Sequence, residues 1–127
     1  NQSNLHKYDT MIKNTGGIDI QILGIGTNGH IAFNEPGSNR HSSTRIVDLT
    51  ENTINDNSRF FDPLEPVPTQ AFTMGMSSIM NARKIYLMAN GKHKKDILEK
   101  ACKGEVLSDI PASFLNEHKN VEVLYCD

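Results

Sequence analysis

The chain has 127 residues, which is enough for one compact domain with its own core. Hydrophobic residues make up 37% of it and aromatic residues 6%, with no tryptophan, which is a modest core for an independent enzyme. The formal net charge is −2. No basic patch of nucleic-acid type stands out and no run of about 18 apolar residues occurs, so we predict neither a nucleic-acid partner nor a membrane span.

Cys102 and Cys126 are the only cysteines, and neither lies in a C-x-x-C or metal-ligand spacing. The sequence therefore predicts two reduced cysteines in a cytoplasmic protein. We predict no metal site and no cofactor. The N-terminus lacks a basic stretch followed by an apolar one, so it is not a signal peptide. Because the chain opens on Asn1 without an initiator methionine, we expect a fragment of a longer protein.

Predicted helices and strands alternate along the chain. Leu5 to Ile12 show helical spacing, and the pair Gly16-Gly17 ends that helix. The further predicted elements are a buried strand at 18–23, a strand at 45–49, a helix at 51–57 capped by Thr50, an extended piece at 71–74, a short helix through 76–80, a strand at 84–89, a helix at 92–103, a helical turn at 110–115 and a strand at 121–125. Phe72, Met76 and Met88 are assigned to the core. This order predicts an α/β fold, Rossmann-like, with a mostly parallel sheet flanked by helices.

Three glycines, Gly24, Gly26 and Gly29, follow the first strand in the pattern G-x-G-x-x-G. A dinucleotide-binding turn has the same pattern. That interpretation is weak here, because no strand ending in an acidic residue lies about 20 residues on and residues 30–36 resemble an active-site loop more than a helix. We therefore predict that the glycines shape a sharp turn at the carboxyl end of the strand, where α/β sheets place their sites.

His30 and Glu35 are the candidate catalytic residues of this loop. Histidine is the side chain best suited to trade protons near neutral pH. Glu35 can turn back to hydrogen-bond the imidazole and fix its tautomer, and Asn28 would add a neutral donor and acceptor. For an isolated H-x4-E pattern, a structural histidine beside a surface glutamate would be the better interpretation. The dense glycine, asparagine and proline context favours the catalytic one.

The segment LGIGTNGHIAFNEPGS at 23–38 resembles the signature of the glucosamine-6-phosphate deaminases, also called glucosamine-6-phosphate isomerases. Blocks at 43–61, 67–94 and 110–118 resemble the same family in the same order. The resemblance implies conversion of glucosamine 6-phosphate and water to fructose 6-phosphate and ammonia, in N-acetylglucosamine catabolism. It also implies that residues 1–127 are the C-terminal part of a single domain whose N-terminal half is absent.

The resemblance assigns a role to each candidate residue. His30 aids opening of the sugar ring by serving the ring oxygen, and Glu35 is its carboxylate partner. Asn28 stands where many members carry aspartate, so we expect a less strongly raised imidazole pKa than in the aspartate-bearing form. Arg59 and Lys94 match residues that bind the substrate phosphate. Lys94 would lie at a helix start, where backbone N–H groups also favour an anion.

The resemblance places the isomerisation base, an aspartate, and a phosphate-cradling loop in the N-terminal half. Asp9 and Asp19 stand in the wrong context to replace that base. We therefore expect residues 1–127 alone to lack deaminase activity, and the partner of the chain to be its missing half together with a small sugar phosphate. Arg45 corresponds to an allosteric phosphate position of hexameric relatives, but the segment around it differs. Assembly into a homo-oligomer stays open.

Three alternatives remain at the level of sequence. A galactosamine-6-phosphate isomerase would share the chemistry. A 6-phosphogluconolactonase shares the fold, but its signature lacks the run Phe33 to Pro36. A sugar-phosphate sensor without catalysis would need only Arg59 and Lys94, so the presence of both His30 and Glu35 argues against it.

Overall fold

The computed structural model describes residues 2–127, with side chains from residue 4 onward. Its strands and helices have the following bounds, in chain order: α1 (Gln2–Asn14), β1 (Ile20–Gly24), β2 (Arg45–Asp48), α2 (Glu51–Asn57), β3 (Gln70–Thr73), α3 (Met76–Met80), β4 (Lys84–Asn90), α4 (Lys95–Ala101) and β5 (Val121–Cys126). Three 3-10 turns lie at Ser58–Phe60, Lys92–Lys94 and Pro111–Glu117. Within the described part of the chain, no helix is both long enough and apolar enough to cross a membrane.

The central sheet has three parallel strands in the order β1-β4-β5, and β2 and β3 form a separate antiparallel pair. The middle strand β4 carries Ile85 and Leu87, which are almost completely buried. The β-branched and leucine side chains on this face pack against α3, α4 and the turn at Pro111–Glu117, which together form the core. The predicted α/β class with a mostly parallel sheet is confirmed.

Local sequence sets most of the helix boundaries. The hydroxyl of Thr50 accepts a hydrogen bond from the backbone N–H of Thr53, so Thr50 is the N-cap of α2 as predicted. The helix predicted at 92–103 is shorter than expected. Lys92–Lys94 forms a 3-10 turn, and α4 runs only from Lys95 to Ala101. Lys94 thus lies immediately before α4, as its predicted position at a helix start requires.

One face of the parallel sheet is open to solvent. Ile20 and Ile22 of β1 are 59% and 65% exposed, whereas Leu23, which points to the opposite face, is buried. Met88 of β4 and Leu124 of β5 continue the exposed face. The prediction of a buried first strand and of a core position for Met88 is therefore wrong, because the helices of the described residues pack on the other face.

The two-stranded sheet corrects one further core assignment. Phe72 of β3 is 68% exposed, and Ile46, opposite it on β2, is also exposed. Met76, in contrast, is fully buried at the start of α3, as predicted. A two-stranded ribbon has no second layer of its own, so one of its faces stays uncovered unless another part of the protein packs on it.

Candidate active site

The loop after β1 contains turns and bends from residue 25 to residue 44 and no helix. A dinucleotide-binding turn requires a helix directly after the glycines, because the helix N-terminus holds the pyrophosphate. The structure therefore contradicts the dinucleotide interpretation. It leaves the histidine-containing loop at the carboxyl end of a parallel strand.

Two of the three glycines have a steric reason in this loop. A Cβ on Gly26 would lie only 2.1 Å from Cε1 of His30, so the imidazole ring packs directly on the Gly26 backbone. Gly29 has a φ of +86°, and a Cβ there would lie 2.8 Å from Cγ2 of Ile110. A Cβ on Gly24 would meet no atom within 4 Å among the described residues, so its predicted loop-shaping role has no steric support in this chain.

The His30 ring is held through one of its two nitrogens. Nδ1 lies 2.7 Å from Oδ1 of Asn28, 3.1 Å from Oε1 of Glu35 and 3.2 Å from Oγ1 of Thr53. The side chain of His30 is 13% exposed. No side chain or backbone atom of the described residues hydrogen-bonds Nε2, which leaves this nitrogen as the one that can act on a ligand.

Asn28 fixes which ring nitrogen carries the proton. The backbone N–H of His30 donates to the Asn28 side-chain oxygen at 3.2 Å, so that oxygen, and not the amide nitrogen, faces the ring. The Asn28 Nδ2 donates in the other direction, to Oγ1 of Thr50 at 3.2 Å. Because Oδ1 can only accept, the neutral imidazole has its proton on Nδ1. Nε2 is then free to accept a proton.

Glu35 is a buried carboxylate surrounded by donors. The backbone N–H of Thr50 donates to Oε2 at 2.7 Å, and the Thr53 hydroxyl lies 2.9 Å from both carboxylate oxygens. Burial alone would raise the pKa of Glu35, but these hydrogen bonds and the neighbouring His30 outweigh burial and hold the pKa below its ordinary value. Glu35 is therefore ionised at neutral pH.

The pKa of His30 moves in the direction opposite to the one expected. Burial, the largest influence, lowers the imidazole pKa below its ordinary value; the Glu35 carboxylate opposes this effect, and Lys94 adds to it. The expectation of a raised pKa, even a modestly raised one, is wrong, because it counted the carboxylate partner and omitted the loss of water around the ring. A neutral ring at pH 7 is suited to act as a base.

The tight turn between Ile31 and Asn34 is held by a residue that the sequence analysis missed. Asn34 is fully buried, and its Nδ2 donates to the carbonyls of Ile31 and Met74 at 3.0 and 2.9 Å. Its Oδ1 accepts from Nη1 of Arg45 at 2.9 Å, so Arg45 supports the loop. Ala32, between them, has a φ of 51°, a strained value for a residue other than glycine. The dense run FNEP was the available signal for Asn34.

Arg59 and Lys94, which the resemblance assigned to phosphate, line the same cleft as His30. The cleft has a volume of about 250 Å³, and its wall includes the turn Gly24 to Gly26. Nζ of Lys94 donates to the Ile25 carbonyl at 2.5 Å. Burial lowers the pKa of Lys94, Asp56 opposes this effect, and Arg59 adds to it. The loop and the α2 segment thus place two cations beside the free face of the imidazole.

Asp56 is a second residue of this cleft that the sequence analysis missed. Its carboxylate accepts a hydrogen bond of 2.6 Å from the Thr27 hydroxyl. The other carboxylates weighed earlier lie elsewhere: Asp9 accepts from Thr44 and Ser78, and Asp19 pairs with Arg83. Neither Asp9 nor Asp19 lines the cleft, so the structure agrees with setting both aside as the isomerisation base.

The fold and the cleft define a Rossmann-like α/β domain with a histidine–carboxylate pair and two cations at the carboxyl end of its first strand. Residues 1–125 match the model of a family described as glucosamine-6-phosphate isomerases/6-phosphogluconolactonase. The chain belongs to this family, which confirms the resemblance.

Relatives narrow the comparison. A glucosamine-6-phosphate deaminase of Lachnoclostridium phytofermentans is 51% identical over 125 residues, which are 98% of this chain and 53% of that protein. A solved structure of a monomeric glucosamine-6-phosphate deaminase superposes with a TM-score of 0.93 at 40% identity, covering 98% of this chain and 52% of the other. A 6-phosphogluconolactonase from Shewanella baltica gives a TM-score of 0.72 at 20% identity over 99% and 52% of the two chains, a likeness of fold alone. The chain thus spans about half the length of the relatives it matches.

Acidification is expected to destabilise the chain in two stages. The folded pKa of His30 lies below the ordinary 6.5, so below that pH the unfolded chain binds a proton that the folded chain resists, and stability falls until the folded pKa is reached. The folded pKa of Glu35 also lies below its ordinary 4.5. Its contribution is therefore complete above that pH and is lost as the pH falls through the folded pKa. Urea unfolding followed by circular dichroism across this range measures both stages.

The variant His30→Gln should remove the first stage and keep the second. His6, which is exposed on α1, provides the matched control, since His6→Gln should leave the pH dependence unchanged. An unaltered loss of stability below the ordinary histidine pKa in His30→Gln would show that another group causes it.

Proposed function

We propose that this chain forms the ring-opening and phosphate-binding half of a glucosamine-6-phosphate deaminase. The observation that carries the proposal is the convergence of a buried histidine–carboxylate pair and two cations on one cleft. The 51% identity to a named deaminase supports the substrate class. The overall reaction would release ammonia from glucosamine 6-phosphate and water and produce fructose 6-phosphate, as in N-acetylglucosamine catabolism.

His30 performs the first step in this proposal. The unprotonated Nε2 takes the proton of the anomeric hydroxyl, the bond between C1 and the ring oxygen breaks, and the resulting imidazolium returns the proton to that ring oxygen. Glu35 stabilises the imidazolium through Nδ1, 3.1 Å away, and Asn28 keeps the ring orientation by accepting from the same nitrogen. The product is the open-chain aldehyde.

Arg59 and Lys94 hold the substrate phosphate in this proposal. The guanidinium of Arg59 lies over the Phe60 ring, with its carbon 4.8 Å from the ring centre, which restricts its orientation. Lys94 is partly buried and already directed at the turn by its contact with the Ile25 carbonyl. A planar fork and a point charge together can bind a phosphate dianion from two sides.

The remaining chemistry requires groups outside this chain. Moving a proton between C2 and C1 needs a base, and the cleft of the described residues offers only Asp56, whose carboxylate already accepts from Thr27. We assign this base to the other half of a single domain, of which residues 1–127 are the C-terminal part. The uncovered face with Ile20 and Ile22 is the surface on which that half would pack. Cys102 and Cys126 are unpaired, in keeping with the cytoplasmic location that forms part of this proposal.

The proposal is tested by ammonia release from glucosamine 6-phosphate. A complete polypeptide, in which a deaminase N-terminal half precedes residues 1–127, is expected to turn over at an enzyme-like rate, and residues 1–127 alone are expected to release no ammonia. Galactosamine 6-phosphate and 6-phosphogluconolactone serve as competing substrates. Preferred turnover of either, or binding without any turnover as in a sensor, would overturn the deaminase assignment.

A further inference from the structure

The hydroxyls of Thr50 and Thr53 link the Asn28 amide to the Glu35 carboxylate in a continuous chain of hydrogen bonds. Asn28 Nδ2 lies 3.2 Å from Thr50 Oγ1, which lies 3.1 Å from Thr53 Oγ1. Thr53 Oγ1 in turn lies 2.9 Å from the oxygens of Glu35. Thr53 is fully buried, so its hydroxyl must satisfy its hydrogen bonds within this network.

The direction of each hydrogen bond follows from groups that can only donate. Thr50 Oγ1 receives the backbone N–H of Thr53 at 3.2 Å and the amide N–H of Asn28, which occupy its two lone pairs. The hydroxyl proton of Thr50 therefore points to Thr53 Oγ1. The proton of Thr53 is left to point to Glu35, because the carboxylate is an acceptor within reach of it.

This ordering has a consequence for the two titrating groups. Glu35 faces the Thr50 N–H on one oxygen and the Thr53 O–H between both, so a proton on the carboxylate would meet other donors. Glu35 is kept as an acceptor, and the third donor that it can receive is Nδ1–H of His30. The Thr53 oxygen, 3.2 Å from Nδ1, has its own proton turned away from the ring and does not compete for the Nδ1 position.

We propose that Thr53 is a positioning residue of this site: its hydroxyl, oriented by Thr50, holds Glu35 as an ionised acceptor and so keeps the proton of the neutral His30 ring on Nδ1. The catalytic meaning of this inference rests on the proposed function, whereas the proton arrangement itself does not. The charged groups that act on the ring are Glu35, Lys94 and Asp56, and none of them changes when Thr53 is replaced.

The test is carried out on residues 1–127 by nitrogen-15 NMR of the histidine rings, with the His30 signals assigned by their loss in His30→Gln. In the unaltered chain the neutral His30 ring should be protonated on Nδ1 alone. Thr53→Val keeps the shape of the side chain and removes the hydroxyl. It should give a mixture with the Nε2–H form and raise the pKa of Glu35 by about one unit, a tenfold change in proton affinity. Thr53→Ser keeps the hydroxyl and should behave as the unaltered chain does.

Two results would overturn the inference. One is an Nε2–H ring in the unaltered chain, which decides the question whether or not any variant folds. The other is a folded Thr53→Val with the original tautomer and the original titration of Glu35, which would show that Thr53 only packs. If Thr53→Val does not fold, Thr53→Ala is measured in its place with the same expectation.

Kinetics on the complete polypeptide separate this inference from the proposed function. Thr53→Val should lower kcat by about tenfold, as expected for a lost hydrogen bond to a charged group, with KM nearly unchanged and activity restored in Thr53→Ser. Absence of deaminase activity in the unaltered complete polypeptide would contradict the proposed function. It would leave the NMR result on Thr53 as it stands.

Discussion

Replacing His30 with alanine in the complete polypeptide is expected to lower kcat by about 10²–10⁴-fold, the usual contribution of a positioned acid–base group. The ring is the one group of the cleft whose free nitrogen can both accept and return a proton near neutral pH. Binding of the sugar phosphate should change little, because Arg59 and Lys94 keep their positions. Steady-state ammonia release gives kcat, and calorimetric titration with a non-reacting sugar phosphate gives the affinity.

The matched control for this prediction is His6→Ala, because His6 is exposed on α1, which does not line the cleft. It should keep full activity. Equal turnover in His30→Ala and the unaltered protein would mean that ring opening does not need His30. Loss of binding in parallel with turnover would instead indicate that the ring mainly holds the substrate.

Gly26→Ala is expected to displace the same ring without removing it. A Cβ at Gly26 would lie 2.1 to 2.5 Å from three atoms of the imidazole, closer than any atoms pack, so the ring must leave its contacts with Asn28 and Glu35. Overpacking of this kind costs about 1–3 kcal/mol of the free energy of unfolding. In the complete polypeptide, kcat should fall nearly as far as in His30→Ala.

Gly24→Ala tests whether the effect is specific to the contact with the ring. Gly24 lies two residues earlier in the same turn, and its added Cβ meets no atom within 4 Å among the described residues. Its free energy of unfolding should stay within about 0.5 kcal/mol of the unaltered chain, as for substitutions that touch nothing, measured by urea unfolding. Equal destabilisation of the two variants would show that the turn tolerates no side chain at all, whatever the position of His30.

The elements that the sequence predicted well are those whose determinants are local. The strand, the glycine turn and the loop to Glu35 follow one another within 20 residues, and the turn chemistry of each is visible in the sequence. The N-cap Thr50 was equally local, since its hydroxyl bonds a backbone group three residues on. The resemblance added Arg59 and Lys94, which no spacing pattern connects to His30 but which the fold brings to the same cleft.

The parts that could not be predicted depend on packing between distant segments. Thr53 lies 18 residues from Glu35 and 23 from His30, and nothing in its neighbourhood signals that its hydroxyl reaches them. The sign of the His30 pKa shift depends on burial, which a pattern of residue types does not measure. The same applies to Phe72, whose apolar character favours a core position that this part of the fold does not provide.

The exposed first strand has a consequence for every measurement made on this chain by itself. In the sheet of the described residues, β1 pairs only with β4, so its other side presents free backbone groups next to Ile20 and Ile22. Such an edge is a template for pairing with a second molecule, and self-association then makes apparent stability depend on concentration. Melting and titration curves of different variants are comparable only at one common dilution, and a shift of the midpoint on dilution would measure how sticky this edge is.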